Sequence, residues 1–195
     1  MSFNFRQFFP FKNTRITNTS DTNYVLLIID MQTKFLEYGN DSCIPGVKRE
    51  IEQAIKDDAN IIFVEYIDEG DTIPELTDLV KHFTPTRVHK VVKPYNDGSK
   101  NILQLIQQLN LPSQHFKVVG VNTDCCVLQT VSGLKGKIPK IKMEVIADAC
   151  ASAYDHRSGL VGLRSLGCTI TNEQPLQMEK MRGPYDRVLS IGDPV

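Results

Sequence analysis

No apolar run in this sequence approaches the roughly 20 residues that a membrane-crossing helix needs, and the N-terminus has no continuous apolar stretch of the signal-peptide kind. Membrane insertion and secretion are both disfavoured. One-sided charge is missing too. With 22 Lys and Arg against 23 Asp and Glu, the formal net charge is −1, which offers no field to attract a polyanion, so nucleic acid is not an expected partner. The five cysteines show no paired spacing, which argues against a disulfide framework, and the adjacent Cys125-Cys126 is not a C-x-x-C redox or zinc pattern. Free thiols suit a reducing compartment, so the expected location is the cytoplasm. Internal repeats and long linkers are likewise missing.

What is present is enough apolar material for one enzyme-sized unit: 41% hydrophobic content in 195 residues, a length that can bury a sizeable core as a single domain spanning 1–195. Apolar strands alternate with helical patterns. Tyr24 to Ile29 reads as a first strand and Ile61 to Val64 as a second, and the helix between them carries Val47, Ile51, Ala54 and Ile55 on one face. A shorter helix follows over Pro74 to Val80. Val88 to Lys93 is a third strand; Ile102, Leu105, Ile106 and Leu109 then share a helical face; His115 to Val121 is a fourth strand, with another helix after it. Lys140 to Ala147, a helix over Arg157 to Leu166, and Cys168 to Ile170 complete the series. Repeated β-α order predicts an α/β fold: a three-layer, Rossmann-like arrangement with a mainly parallel sheet of about six strands covered by helices on both faces.

Three residues with chemistry end successive strands. Asp30 closes the first, Lys93 the third, and Cys126 follows the fourth, in the run G-V-N-T-D-C-C-V-L-Q-T from Gly120 to Thr130. Each has an ordinary reading by itself: a turn-capping carboxylate, a solvated cation, a small core hydrophobe. Together they fall on the carboxyl edge of the predicted sheet, where open parallel sheets bind ligands. Thr123 or Asp124 is the expected N-cap of the helix after the fourth strand, which puts Cys126 in its first turn, where unpaired N–H groups and the positive dipole end favour a thiolate.

The segment G-V-N-T-D-C-C-V resembles the nucleophile motif of the isochorismatase-like cysteine hydrolases, roughly G-x-x-T-D-x-C-V, which include nicotinamidases and N-carbamoyl amino acid amidohydrolases. Tyr24 to Gln32 and Val91-Val92-Lys93 match the strands carrying that family's Asp and Lys, and the resemblance runs from about Tyr24 to Asn172. It implies an Asp30-Lys93-Cys126 triad, an oxyanion hole from the backbone N–H groups of Asn122 and Cys126, a cis peptide between Val121 and Asn122, and hydrolysis of a small amide or carbamoyl C–N bond through a thioester. Relatives commonly form dimers or larger assemblies. The chain departs from nicotinamidases where they carry a His-containing metal site: Glu65 to Asp71 reads E-Y-I-D-E-G-D, and the four histidines, at 82, 89, 115 and 156, do not supply the cluster. No metal and no cofactor are therefore expected. After Lys93 the chain has P-Y-N-D-G-S where relatives often continue to Ser-Ala-Phe, so the substrate wall is altered.

Position places Phe35, Tyr66 and Tyr95 as candidate substrate-binding residues, with loop packing as the other reading. His156 has no assigned role beyond structure. Alternatives are an isochorismatase-type vinyl ether hydrolase, against which the retained Cys126 speaks, and a non-catalytic binding or scaffold member of the same fold. A haloacid-dehalogenase-type phosphatase needs a carboxylate two residues after Asp30, where Gln32 stands. Five phenylalanines, Phe3, Phe5, Phe8, Phe9 and Phe11, crowd an N-terminal extension, 1–22, with more apolar surface than a solvated tail carries comfortably. A homo-oligomer is expected. The stretch 174–195 reads as an extended C-terminal arm.

Overall fold

The computed structural model describes residues 23–37, 39–138 and 140–173. The extension expected at 1–22 and the arm expected at 174–195 lie outside the described residues. Within them the order is β1 (Val25–Ile29), α1 (Ile44–Lys56), β2 (Asn60–Tyr66), α2 (Pro74–Thr77), β3 (Val88–Lys93), α3 (Ser99–Leu109), β4 (His115–Val121), α4 (Leu128–Lys137), β5 (Lys142–Ala151), α5 (His156–Ser165) and β6 (Thr169–Thr171).

All six strands pair in parallel, in the order β3-β2-β1-β4-β5-β6. The central strand, VLLII, is buried along its whole length, as a strand covered on both faces must be. Its alternate side chains feed two cores. Val25, Leu27 and Ile29 pack with Ile102 and Ile106 of α3, Val131 and Leu134 of α4, and Leu160 and Leu163 of α5. Leu26 and Ile28 pack with Val47, Ile51 and Ala54 of α1 and Leu76 of α2. Period-2 strands thus meet period-3.6 helices on both sides, which gives the three layers.

The topology places the site. Strand order reverses between β1 and β4, so the chain leaves these neighbours in opposite directions and opens a crevice at their carboxyl ends. Ile29 stands opposite both Val64 of β2 and Gly120 of β4, so the residues that follow β1 and β4 meet there. The approach is tight at Gly120, whose φ is +118°: a Cβ there would lie 2.1 Å from the Ile29 carbonyl oxygen, so only glycine fits.

Several element boundaries differ from the sequence reading by a residue or two, and three differ in kind. The second helical segment is α-helical only over Pro74–Thr77 and tightens to a 3₁₀ turn over Asp78–Val80. β5 starts at Lys142 and runs on to Ala151, because a register shift against β4 between Val118 and Gly120 lets it bulge and resume pairing at Cys150 and Ala151. The expected N-cap is also different. Asn122 holds the extended N-cap backbone, and Thr123–Val127 forms a π-type turn before α4 begins.

Candidate active site

Asp30 sits one residue beyond β1 with a left-handed backbone, φ +52°, anchored by its N–H to the Val64 carbonyl at 2.8 Å. Aspartate tolerates this conformation better than most residues. The turn aims its carboxylate along the sheet edge toward β3. Lys93 ends β3, two strands away, and the roughly 4.8 Å spacing between strands makes only a long side chain able to cover that span. Its Nζ lies 2.9 Å from Asp30 Oδ2, with both side chains buried, at 0% and 1% exposure. The contact is an ion pair rather than an aligned hydrogen bond: among the described residues neither Asp30 oxygen has a well-aligned donor. Lys93 Nζ also donates to the Tyr95 carbonyl at 3.2 Å and stands 4.3 Å above the centre of the Tyr66 ring. A buried ammonium without such partners would cost several kcal/mol.

Cys126 projects from the π-type turn with 4% exposure. Its thiol donates to Asn96 Oδ1 at 3.6 Å, and the charges of Asp30 and Lys93 both reach it. Burial pushes the thiol well above its ordinary value, the Asp30 charge adding to this and the Lys93 charge opposing it. Burial also raises the Asp30 carboxyl, against the pull of Lys93. A resting thiolate is therefore disfavoured at neutral pH, and the arrangement suits removal of the thiol proton at the moment of attack.

The π-type turn has a chemical consequence. The Asn122 carbonyl accepts from the N–H groups of Cys125 and Val127, each at 3.1 Å, in place of the Cys126 bond that a regular α-helix would make. Such a skipped N–H is the kind of donor an oxyanion needs. The Val121–Asn122 peptide is cis, as the motif implied. Asn122 Oδ1 accepts from Asn40 Nδ2 at 2.8 Å and from Ala153 N–H at 3.0 Å, which ties this segment to the 3₁₀ turn 40–43 and to the end of β5.

The remaining expected residues divide. Phe35 and Tyr66 come together, ring centres 5.9 Å apart, beside Lys93. Tyr95 does not join them. The residue is 73% exposed, because the short loop after β3 turns its carbonyl inward to Lys93 and the side chain outward. His156 is a structural partner: its Nδ1 lies 2.8 Å from Thr123 Oγ1, which also donates to the Ala151 carbonyl. Neither Thr123 nor Asp124 caps its own helix. Asp124 instead accepts from Ser152 Oγ and from the N–H of Asp155, steadying the turn into α5.

Four polar residues of the site carried no signal in the sequence. Asn96 faces the thiol. Gln32, fully buried, accepts from Tyr66 N–H at 2.8 Å and donates to the Tyr66 carbonyl at 3.0 Å, stitching the end of β1 to β2. Asn40 holds Phe35 O and Asn122 Oδ1. Thr130 donates to the Asn96 carbonyl. Each sits in a loop or on a polar face, where periodicity says nothing.

The acidic loop after β2 is engaged internally. Glu65 accepts from Thr72 and pairs with Lys90, Asp71 pairs with Lys90, and Glu69 pairs with Lys34. Among the described residues no three His, Cys, Asp or Glu side chains converge as a metal-binding group. No described helix is long and apolar enough to cross a membrane. A groove of about 630 Å³ is bordered by Cys43, Asp148, Cys150, Arg157 and Leu160, and not by Asp30, Lys93 or Cys126.

Comparison with known proteins places this geometry. Residues 24–174 match the family model described as an isochorismatase domain. A nicotinamidase from Staphylococcus aureus superposes with a TM-score of 0.66 at 21% identity, over 78% of this chain and 99% of that one. A ribonuclease from Caenorhabditis elegans gives 0.65 at 23%, over 76% of each chain. A pyrazinamidase/nicotinamidase from Streptococcus mutans gives 0.62 at 23%, over 75% and 99%. Among curated proteins none matches by sequence. At these identities the structural likeness establishes the fold, and the different activities in those names leave the chemistry to the site itself.

Proposed function

The chain belongs to the isochorismatase-domain family, and within it we propose a cysteine hydrolase that cleaves a small amide or carbamoyl C–N bond with Asp30, Lys93 and Cys126. The single observation that carries this reading is the convergence of the three side chains, from the ends of β1 and β3 and the start of the turn after β4, in one buried cluster.

Asp30 accepts the Cys126 proton as sulfur attacks the carbonyl carbon, so a free thiolate need not accumulate. Lys93 holds the Asp30 carboxylate in place and offsets negative charge as it develops. The tetrahedral oxyanion is received by the backbone N–H groups of Cys126 and Asn122. One such donor is typically worth roughly 3 kcal/mol of barrier. Collapse breaks the C–N bond, with the proton on Asp30 passing to the departing ammonia or amine, and leaves a thioester. Water, deprotonated by Asp30, then attacks the thioester and restores the thiol.

Phe35 and Tyr66 form the apolar wall of the substrate site, suited to a small flat acyl group. Residues already holding each other in place around a buried thiol favour turnover over a scaffold role, and retention of Cys126 favours acyl transfer over vinyl ether cleavage. Glu65, Glu69 and Asp71 are paired with lysines, and the mechanism uses no metal or cofactor. A cytoplasmic homo-oligomer, dimer or larger, completes the reading, motivated by the phenylalanine-rich stretch 3–11. A panel of small primary amides, N-carbamoyl amino acids and vinyl ethers tests it. Ammonia release from at least one amide or carbamoyl compound is expected; turnover of vinyl ethers alone, or of nothing, would overturn the assignment.

A further inference from the structure

We propose that Asn96 is a positioning residue for Cys126: its carboxamide holds the thiol in the resting site and then, turned over about χ2, donates a hydrogen bond to the sulfur once the proton has left. The proposal rests on Cys126 being the nucleophile, and it concerns a residue that lies outside the triad and the oxyanion hole.

The observation is the 3.6 Å contact in which Cys126 Sγ donates to Asn96 Oδ1, made from a loop that is fixed from several directions. The Asn96 carbonyl accepts from Thr130 Oγ1 at 3.2 Å, and the same hydroxyl accepts from Gly98 N–H at 3.0 Å. Thr130 is fully buried and lies four residues after Cys126, so it rises from the nucleophile's own helical face. The neighbouring Tyr95 carbonyl is held by Lys93 Nζ, and Asp97 Oδ1 accepts from Ser99 N–H at 2.7 Å. The loop is thereby tied at once to the triad lysine and to the helix carrying the thiol. The loop backbone cannot drift from Cys126 without breaking these bonds.

The residue type suits a group that changes its hydrogen-bonding sense. A thiol donates and a thiolate only accepts. A carboxamide serves both states, because a half-turn exchanges its oxygen for an N–H₂ donor of nearly the same shape. The proton leaves sulfur for the Asp30 carboxylate, the electron pair stays on sulfur, and the Asn96 N–H then faces the new charge. An aspartate at 96 would accept but never donate and would add negative charge; an alanine would do neither. The other groups bearing on the sulfur are Asp30 from the end of β1, Lys93 from the end of β3 and Cys125 in the same turn, while Glu65 of β2 acts on Asp30. The Asp97 carboxylate is engaged by Ser99.

The test is the pH dependence of iodoacetamide alkylation at Cys126, followed by peptide mass spectrometry so that the other thiols are read separately, in the wild-type chain and in Asn96→Ala and Asn96→Asp. With the donor gone, the alkylation midpoint in Asn96→Ala should rise by about one pH unit, roughly tenfold less thiolate at a fixed pH below it. It should rise further in Asn96→Asp. Midpoints equal to wild type in the variants would overturn the proposal. Should Asn96→Ala fail to fold, Asn96→Leu, neutral and close in size but unable to donate, decides by the same criterion. Wild-type Cys126 found without an acyl group after acid quenching during turnover of an active amide would sink the nucleophile reading and this proposal with it, whereas an acylated wild-type Cys126 with unshifted variants sinks this proposal only.

Discussion

Lys93 reaches across the end of β2 to stand 2.9 Å from Asp30 while its ammonium covers the face of Tyr66. Two opposite charges are thus buried together on an apolar floor. Removing one partner of such a pair leaves the other uncompensated, which typically costs roughly 3–5 kcal/mol. Lys93→Met should therefore lower the thermal midpoint markedly and abolish turnover. Asp30→Asn combined with Lys93→Met should recover much of the stability and none of the activity. A double variant no more stable than the single one, by thermal melts at neutral pH, would contradict the pairing.

The pH response follows from the direction of the Asp30 shift. Burial raises the Asp30 carboxyl above its ordinary value of 3.8, so the ionised form that accepts the thiol proton is lost on acidification at a higher pH than for a surface aspartate. The acid limb of kcat/KM should accordingly fall with a midpoint above 3.8. An acid whose folded value is raised binds its proton more tightly in the folded chain. The stability it adds is complete below the unfolded value and declines as pH climbs through the folded one. Asp30→Asn should flatten that decline in a series of denaturant melts. An unchanged slope would show that Asp30 is not shifted upward.

The aromatic residues should separate. Tyr66→Leu removes a ring against a desolvated ammonium, an interaction worth up to about 2 kcal/mol, and should lower both stability and kcat/KM. Tyr95→Ala should leave both within experimental scatter, since only its backbone carbonyl touches Lys93. Equal losses in the two variants would contradict the assignment of Tyr66, with Phe35, as the substrate wall.

Much of this was legible from sequence, and the reasons differ by residue. β3, α3 and β4 were readable to their ends because β-branched strand residues or a clear helical face give out at Lys93, Leu109 and Val121. Asp30, Lys93 and Cys126 were readable because strand ends in a parallel sheet share one edge. The bulge in β5 was hidden, since Asp148 interrupts the apolar run while the strand continues. Tyr95 stands exposed, away from the Phe35–Tyr66 pair, because a loop's sequence does not say which side its side chain takes. Asn96, Asn40 and Gln32 act through side-chain bonds between segments 30 or more residues apart, and no local pattern records those.

Chelation should leave activity intact, because Glu65, Glu69 and Asp71 are already bonded to lysines and no step uses a metal. Assay after exhaustive EDTA treatment checks this. Loss of turnover restored by zinc or iron would show that the loop after β2 had been misread.

The central claim is that Cys126 carries the acyl group. The direct measurement is rapid acid quenching during turnover of an amide found active, followed by peptide mass spectrometry, with Cys126→Ala and Cys125→Ala run alongside. The acyl mass should appear on Cys126 in the wild-type chain and in Cys125→Ala, which should keep most activity. Cys126→Ala should remain folded, carry no acyl group and lose on the order of 10³-fold or more in kcat. Acylation at Cys125, or sustained turnover by Cys126→Ala, would contradict the account.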